Sequence, residues 1–476
     1  MMKDLKKEKI QVIRGSTIFP WITNKQRITN KQIIFLVLIV LFLHIFFRGT
    51  AEASEIQKMS LVEAVELALK NNQDLKLAKN SVQYSKLTLK KEKNDYLPQV
   101  TGTANTALNN DYGQSGSSRD YYIQRAEVFT QLNLFKGFED KASLESARYN
   151  LSSDEHAQIR QKQQVIYDTV SAYIDAVQQL QEIEVARENL KTNRQQEKEI
   201  KAFHEAGKVP ATDLYQQQAE TAKAKFDFIS AENSYKISKM QLIKTIGIPV
   251  AGDIEIEMPE ITIFTMTPEI NADRLIQAAF ETRPDLFALE KSVSAKEAKI
   301  KEAASGKYPS VDLNAGMGSL YDNRYGENFG HQFGDDNLYS YIGVSVSLPI
   351  FDRQLTRTKV NQAKIDKQSE NLTLEKLKQQ IREELGQAVA DYQTACESII
   401  VSKSRLFYTN KALESVFQRY KMGAANLTEL TQIRSDQVEA RNDMIEAEVD
   451  KILKIISIFF YKGDLGLSHI LKEELS

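Results

Sequence analysis

The sequence predicts a mainly α fold with a β-barrel part, built as two copies of one unit. Each copy reads as a helix, a β-hairpin, a very long helix, a tight turn and a returning helix. Three observations carry this. First, one phrase is written twice: Lys201-Ala-Phe-His-Glu-Ala-Gly207-Lys-Val-Pro-Ala-Thr-Asp213-Leu214 and Phe417-Gln-Arg-Tyr-Lys-Met-Gly423-Ala-Ala-Asn-Leu-Thr-Glu429-Leu430, an offset of 216 residues from 207 to 423. The offset also relates Phe135 to Phe351, Val165 to Ile381 and Ala172 to Ala388. Second, no proline falls between Pro98 and Pro210 or after Pro349, as long helices require. Third, the apolar period switches to two at 124–135 and 341–348, the mark of strands. A duplication of this length makes the repeat the first thing to read.

At the N-terminus a basic stretch up to Lys31 precedes an apolar run from Ile33 to Phe47 and then Ala51-Glu52-Ala53. That is the pattern of a secretory signal, with 1–53 as leader. The alternative is a membrane anchor, but the run is shorter than the ~20 residues a spanning helix needs. Without the leader the chain keeps 53 Lys and Arg against 61 Asp and Glu, a net charge of −8, which speaks against a nucleic-acid partner. The lone Cys396 excludes an internal disulfide and reads as a small residue in a helical tract.

The first repeat is expected over 54–246. A helix spans 60–96, with Ser60 and Glu63 as a capping box. The hairpin follows at 99–135, where Ala126, Val128, Leu132 and Leu134 lie on one face and Arg125, Glu127, Gln131 and Asn133 on the other. From Phe138 to Phe203 neither Gly nor Pro occurs, so 66 residues at 1.5 Å each give about 100 Å of helix. Ile166, Val170, Tyr173, Val177 and Leu180 step by fours and threes, a coiled-coil seam. A returning helix covers about 211–246.

A proline-bearing linker is expected over 247–273, the second repeat over 274–465 and a tail over 466–476. The second hairpin is placed at 310–349, with Ile342, Val344, Val346 and Leu348 alternating with Tyr341, Gly343, Ser345 and Ser347. Leu385, Val389, Tyr392, Cys396 and Ile399 repeat the seam. Strands of about ten residues, long polar loops at 109–120 and 322–338 and tyrosines near strand ends suit a membrane barrel. Tyr121, Tyr122, Tyr321, Tyr339 and Tyr341 are the expected interfacial girdle. Four strands cannot close a barrel, so this reading requires oligomerisation.

No catalytic, cofactor-binding or metal-binding constellation is found. His204-Glu205 lacks the second histidine of a zinc-protease helix, and Gly316-Met-Gly318 sits in a strand without the third glycine of a dinucleotide site. An enzyme and a cofactor are therefore not expected.

The repeated order of these features resembles the TolC-like outer-membrane efflux protein family over about residues 58–465. It rests on Ala64-Val-Glu-Leu-Ala-Leu-Lys-Asn-Asn-Gln-Asp-Leu75, on Tyr96-Leu-Pro98 and Tyr308-Pro309, on Leu132-Asn-Leu-Phe135 and Leu348-Pro-Ile-Phe351, and on the two glycine turns. The resemblance implies a homotrimer, whose three four-stranded sheets make a twelve-stranded barrel in outer-membrane lipid, continued as a periplasmic α-barrel. It implies a passive exit duct for efflux or type I secretion, with a periplasmic adaptor (membrane fusion) protein and an inner-membrane pump of RND, ABC or MFS type. It places the turns at Gly207 and Gly423, with Leu214, Leu430 and Tyr420, at the tip where the adaptor docks. The acidic pair ringing the constriction of the family's best-known member matches Glu429 and Gln432, so one carboxylate is kept. Its gate tyrosine matches Tyr420, while the arginine partner matches Ala425. Asp213 is the first-repeat counterpart of Glu429 and a further candidate for the constriction. Carboxylates at both positions also complement the dipole of a helix start. Two other classes stay open: a periplasmic coiled-coil scaffold without a channel, and a coiled coil held in the inner membrane by an uncleaved leader.

Overall fold

The structure, a computed structural model, describes residues 57–112, 118–249, 254–258, 271–325 and 332–466. The expected leader lies outside them, as does the expected tail beyond residue 466. In chain order the elements are β1 (Gln57–Met59), α1 (Leu61–Asn71), α2 (Gln73–Asn94), β2 (Gln99–Tyr112), β3 (Ser118–Lys136), α3 (Glu139–Glu205) and α4 (Ala211–Ile246). They continue with β4 (Ile254–Ile256), α5 (Ala272–Thr282), α6 (Pro284–Ala303), β5 (Ser310–Asp322), β6 (Leu338–Ser347), α7 (Leu355–Lys421) and α8 (Leu427–Lys462). The two long helices, α3 and α7, have 67 residues each, and both returning helices have 36.

The capping box forms as the residues predict: the Glu63 amide donates to Ser60 Oγ at 3.3 Å and the Ser60 amide to Glu63 Oε2 at 3.0 Å. The expected single helix over 60–96 is instead two. It breaks at Asn72, whose extended backbone ends α1 and whose side chain caps α2 by accepting from the Asp74 and Leu75 amides. The second repeat breaks at the matching place, Arg283, with Pro284 opening α6. Each break packs on the glycine that ends the returning helix of its own half. A Cβ on Gly247 would meet the Asn71 and Asn72 backbone, and one on Gly463 would meet Arg283. Gly247 and Gly463 are again 216 residues apart, and both have positive φ.

The same offset governs the passage from strand to long helix. Gly137 and Phe138 take left-handed φ before α3, and Arg353 and Gln354 do so before α7. Gly137 has no alternative, because a Cβ there would lie 2.5 Å from the Ser305 carbonyl oxygen.

The seams are buried as expected at Ile166, Val170, Tyr173 and Val177 in α3 and at Leu385, Val389 and Tyr392 in α7. One core gathers α1, α3, α4 and the end of α8; another gathers α5, α7 and α8. The stretch expected as a linker contributes to the first. Its β4 pairs in parallel with β1, and Ile254 and Ile256 are buried there. The Tyr173 hydroxyl donates to the carbonyls of Met59 at 2.9 Å and Glu257 at 2.6 Å, tying the long helix to this ribbon.

A buried ionic cluster joins the second helix break to both halves. Arg283, 2 % exposed, reaches Asp285 at 2.5 Å and Glu384 at 2.6 Å. Arg160 of α3 lies 3.7 Å from Asp285 and stacks on the Phe460 ring at 3.8 Å. Burial drags the Arg160 guanidinium down to about 10 despite its carboxylate neighbours.

The two hairpins form one antiparallel sheet in the order β2-β3-β5-β6, with a bulge in β3 between Asn133 and Phe135. Its register sorts most of the side chains by polarity, though Ile123, Phe129 and Leu320 fall on the polar face. Val100, Leu108, Val128, Leu132, Leu313, Met317, Ile342, Val344 and Val346 share one face. Gln99, Asn105, Arg125, Glu127, Gln131, Asn133, Asp312, Asn314 and Ser345 share the other. This corrects the expected tyrosine girdle. Tyr122 and Tyr321 lie on the apolar face, but Tyr121, Tyr339 and Tyr341 lie on the polar one, because successive residues of a strand point to opposite faces.

Candidate functional site: the helical tip

Both long helices end in the same hydrogen-bonded reversal. In the first repeat the Gly207 amide donates to the His204 carbonyl and the Lys208 amide to that of Phe203, each at 2.8 Å. In the second the Gly423 amide donates to Tyr420 at 3.0 Å and the Ala424 amide to Arg419 at 2.8 Å. The glycines sit at φ +66 and +74, the left-handed region that lets a chain leave a helix, and nothing stands within 4 Å of either Cβ position.

The side chains around the turns differ. In the first, His204 Nδ1 lies 3.1 Å from the Val209 carbonyl oxygen, and Pro210 precedes α4. In the second, the Asn426 side chain caps α8 by accepting from the Glu429 amide at 2.8 Å. Arg419 then grips the Glu429 carboxylate with two donors, at 2.7 and 3.4 Å, and donates to the Ala424 carbonyl at 3.2 Å. The reading of the residues missed this arginine. It lies ten residues before Glu429, on the other arm of the hairpin, and its counterpart in the first repeat is Phe203. Ala425, where the resemblance departs from the family's arginine, carries no guanidinium, and Arg419 of the preceding helix bonds Glu429 instead of Tyr420.

The other predicted residues are placed as follows. Asp213 is half-buried in the first turn of α4, with Thr212 Oγ1 at 3.4 Å from its carboxylate. Tyr420 is half-buried; burial, then the nearby Asp213 and Glu199 carboxylates, push its hydroxyl above its ordinary value. Gln432 is exposed and donates along its helix to Asp436 at 2.8 Å. Leu214 is half-buried, whereas Leu430 is fully buried. Leu430 was expected among docking residues; its burial removes it from the surface, because i and i+3 spacing from Leu427 turns both leucines into the hairpin.

The two hairpins touch where α3 and α4 meet α8. Arg441 reaches Glu188 at 2.5 Å, Arg434 donates to Gln196, and Gln216 donates to Thr428 at 3.3 Å. Between them runs a groove of about 1160 Å³ whose walls include Phe203, Asp213, Phe417, Tyr420, Asn426 and Arg434. Among the described residues, no group of three or more His, Cys, Asp or Glu side chains is placed to hold a metal ion.

The sequence pattern of the outer membrane efflux protein family matches this chain twice, over residues 64–248 and 275–454. The chain belongs to that family. Its two matches coincide with the two hairpin-bearing halves described above. This efflux-family member is an outer-membrane protein, and its fold is shared with solved relatives. It is 24% identical over 419 residues to the outer membrane efflux protein BepC of Brucella suis, covering 85% of this chain and 84% of that one. The CmeC outer membrane channel of Campylobacter jejuni matches with a TM-score of 0.75 at 16% identity, over 87% of this chain and 89% of that one. The outer membrane protein VceC of Vibrio cholerae matches with a TM-score of 0.72 at 16% identity, over 85% and 96%. At these identities the structural likeness speaks for the fold.

Proposed function

We propose that this efflux-family protein is the passive exit duct of a tripartite efflux or type I secretion system and works as a homotrimer. The four-stranded sheet carries the proposal. It has one apolar face, one polar face and two outer strands, β2 and β6, that each pair on one side only among the described residues. Backbone groups left open in lipid are costly, so such a sheet becomes stable there only by closing on itself. Joining β6 of one copy to β2 of the next gives twelve strands in three copies, with the apolar face toward lipid and the polar face lining a duct.

The helices support the same assembly. Phe226, Ile229, Ile237 and Met240 on α4 and Ile365, Leu372, Ile400 and Phe407 on α7 are exposed in the single chain. Rows of large apolar residues on the two outer flanks of the helical layer fit a neighbouring copy better than water.

The helical tip is then the periplasmic end. The turns at Gly207 and Gly423, with Leu214 and Tyr420, present the surface for a periplasmic adaptor that links the duct to an inner-membrane pump. Glu429, Asp213 and Gln432 line the constriction, with Arg419 compensating part of the Glu429 charge. Native-mass analysis of outer-membrane extracts should give a heat-modifiable trimer that conducts ions in planar bilayers. A monomer that resists heat-modification and forms no pore returns the scaffold reading to first place.

A further inference from the structure

We propose that the polar face of the sheet carries a recognition site for flat organic cations, made by Tyr339, Tyr341 and Glu127. The proposal rests on the duct reading, which turns this face toward the lumen. Tyr341 starts on β6, crosses β5 and donates its hydroxyl to Glu127 Oε1 on β3 at 3.0 Å. To span two strands in this way the ring must lie down on the sheet.

Two glycines make room for that. A Cβ on Gly316 would meet the Tyr341 ring at 2.8 Å, and a Cβ on Gly318 would meet the Tyr339 hydroxyl at 2.9 Å. Gly316 pairs with Tyr341 and Gly318 with Tyr339 across the ladder, so each ring lies in the gap its own partner leaves. The two rings are nearly parallel, at 11° with centroids 6.5 Å apart. Rings lying on a wall offer their faces, not their edges, to whatever passes.

Beside them stands the Glu127 carboxylate. Arg125 shares its strand face two residues away, yet among the described residues Glu127 has no ion-pair partner. A π face next to a carboxylate that makes no ion pair attracts a planar cation twice over, by the ring quadrupole and by charge. Neutral aromatics gain the first attraction alone, and anions are repelled by the second. Three copies would set such patches around the lumen, so the wall would favour one charge class of export.

The test uses the full-length protein with ethidium as probe. Its affinity for detergent-solubilised protein is read by fluorescence anisotropy, and its block of ion current is read in planar bilayers. We expect Glu127→Gln and Tyr341→Leu each to weaken ethidium binding and block about tenfold. Ser347→Ala, on the same face at the far end of β6, should leave both unchanged. Conductance of each variant shows that its pore is intact. A conducting wild type whose ethidium affinity is the same in all variants overturns the site and leaves the duct standing. A wild type that binds ethidium but conducts no ions overturns the duct, and the lumenal role of the site falls with it.

Discussion

At the scale of residues, the tip is governed by one pair that crosses the hairpin. Arg419 and Glu429 are both about half exposed, at 47% and 40% of their side chains, so their contact contributes at most about 1 kcal/mol to stability. Its importance is electrostatic. With Arg419 in place, the constriction proposed at Glu429 would be closer to neutral than a ring of free carboxylates. In planar bilayers Arg419→Ala should therefore raise cation selectivity and Glu429→Gln should lower it. If both substitutions leave the reversal potential unmoved in a conducting trimer, Glu429 acts only at the start of its helix. The buried cluster at the helix break gives a second residue-level expectation. Burial alone would raise the Asp285 carboxyl, but the Arg283 guanidinium outweighs it and holds the group below its ordinary value of 3.8. A carboxyl depressed in the folded state adds stability above its unfolded value and loses it as the pH falls through its folded one. Asp285→Asn should cost about 3 kcal/mol near neutrality, because it strips a buried arginine of a partner. The gap in thermal midpoint between wild type and variant should close as the pH falls below about 4; a gap that stays constant would assign the loss to packing.

At the scale of elements, the same glycine conformation does two jobs. Gly423 and Gly463 both end long helices with positive φ, at +74 and +85. Around Gly423 there is open space, whereas a Cβ on Gly463 would sit 2.8 Å from the Arg283 Cα. Gly423→Ala should thus cost only the left-handed strain of about 1–2 kcal/mol. Gly463→Ala adds a backbone clash at the helix break and should lower the thermal midpoint markedly more. Gly423→Val should depress export while sparing trimer and barrel, since the tip lies the length of α7 from the sheet. Equal thermal losses in the two alanine variants would show that the break and the returning helix are not packed as described. Elements of this kind were legible because their signals are local: a capping box, a proline-free tract, a glycine after an apolar seam. The break at Asn72 was not, because it answers to the Thr245 carbonyl, which its side chain reaches at 2.8 Å from 173 residues away.

At the scale of the whole molecule, assembly should depend on which face of the sheet meets lipid. Val344 and Ser345 are neighbours on β6 with opposite orientations. An aspartate at Val344 would face hydrocarbon and should prevent recovery of trimers from the outer membrane, while Ser345→Asp should be tolerated on the wetted face. Equal recovery of the two would mean that the strands do not face lipid. By itself, the sequence determined the duplication, the class of every long element and the two reversal points. Each of these follows from periodicity or from residues close together in the chain. Only the tertiary structure decided that Arg419 answers Glu429, that Leu430 turns inward, that β4 completes the first core and that three of five strand tyrosines lie on the polar face. Those outcomes depend on register and on contacts between distant segments. A one-residue shift of register reverses a side chain's face without changing the composition that sequence reading relies on.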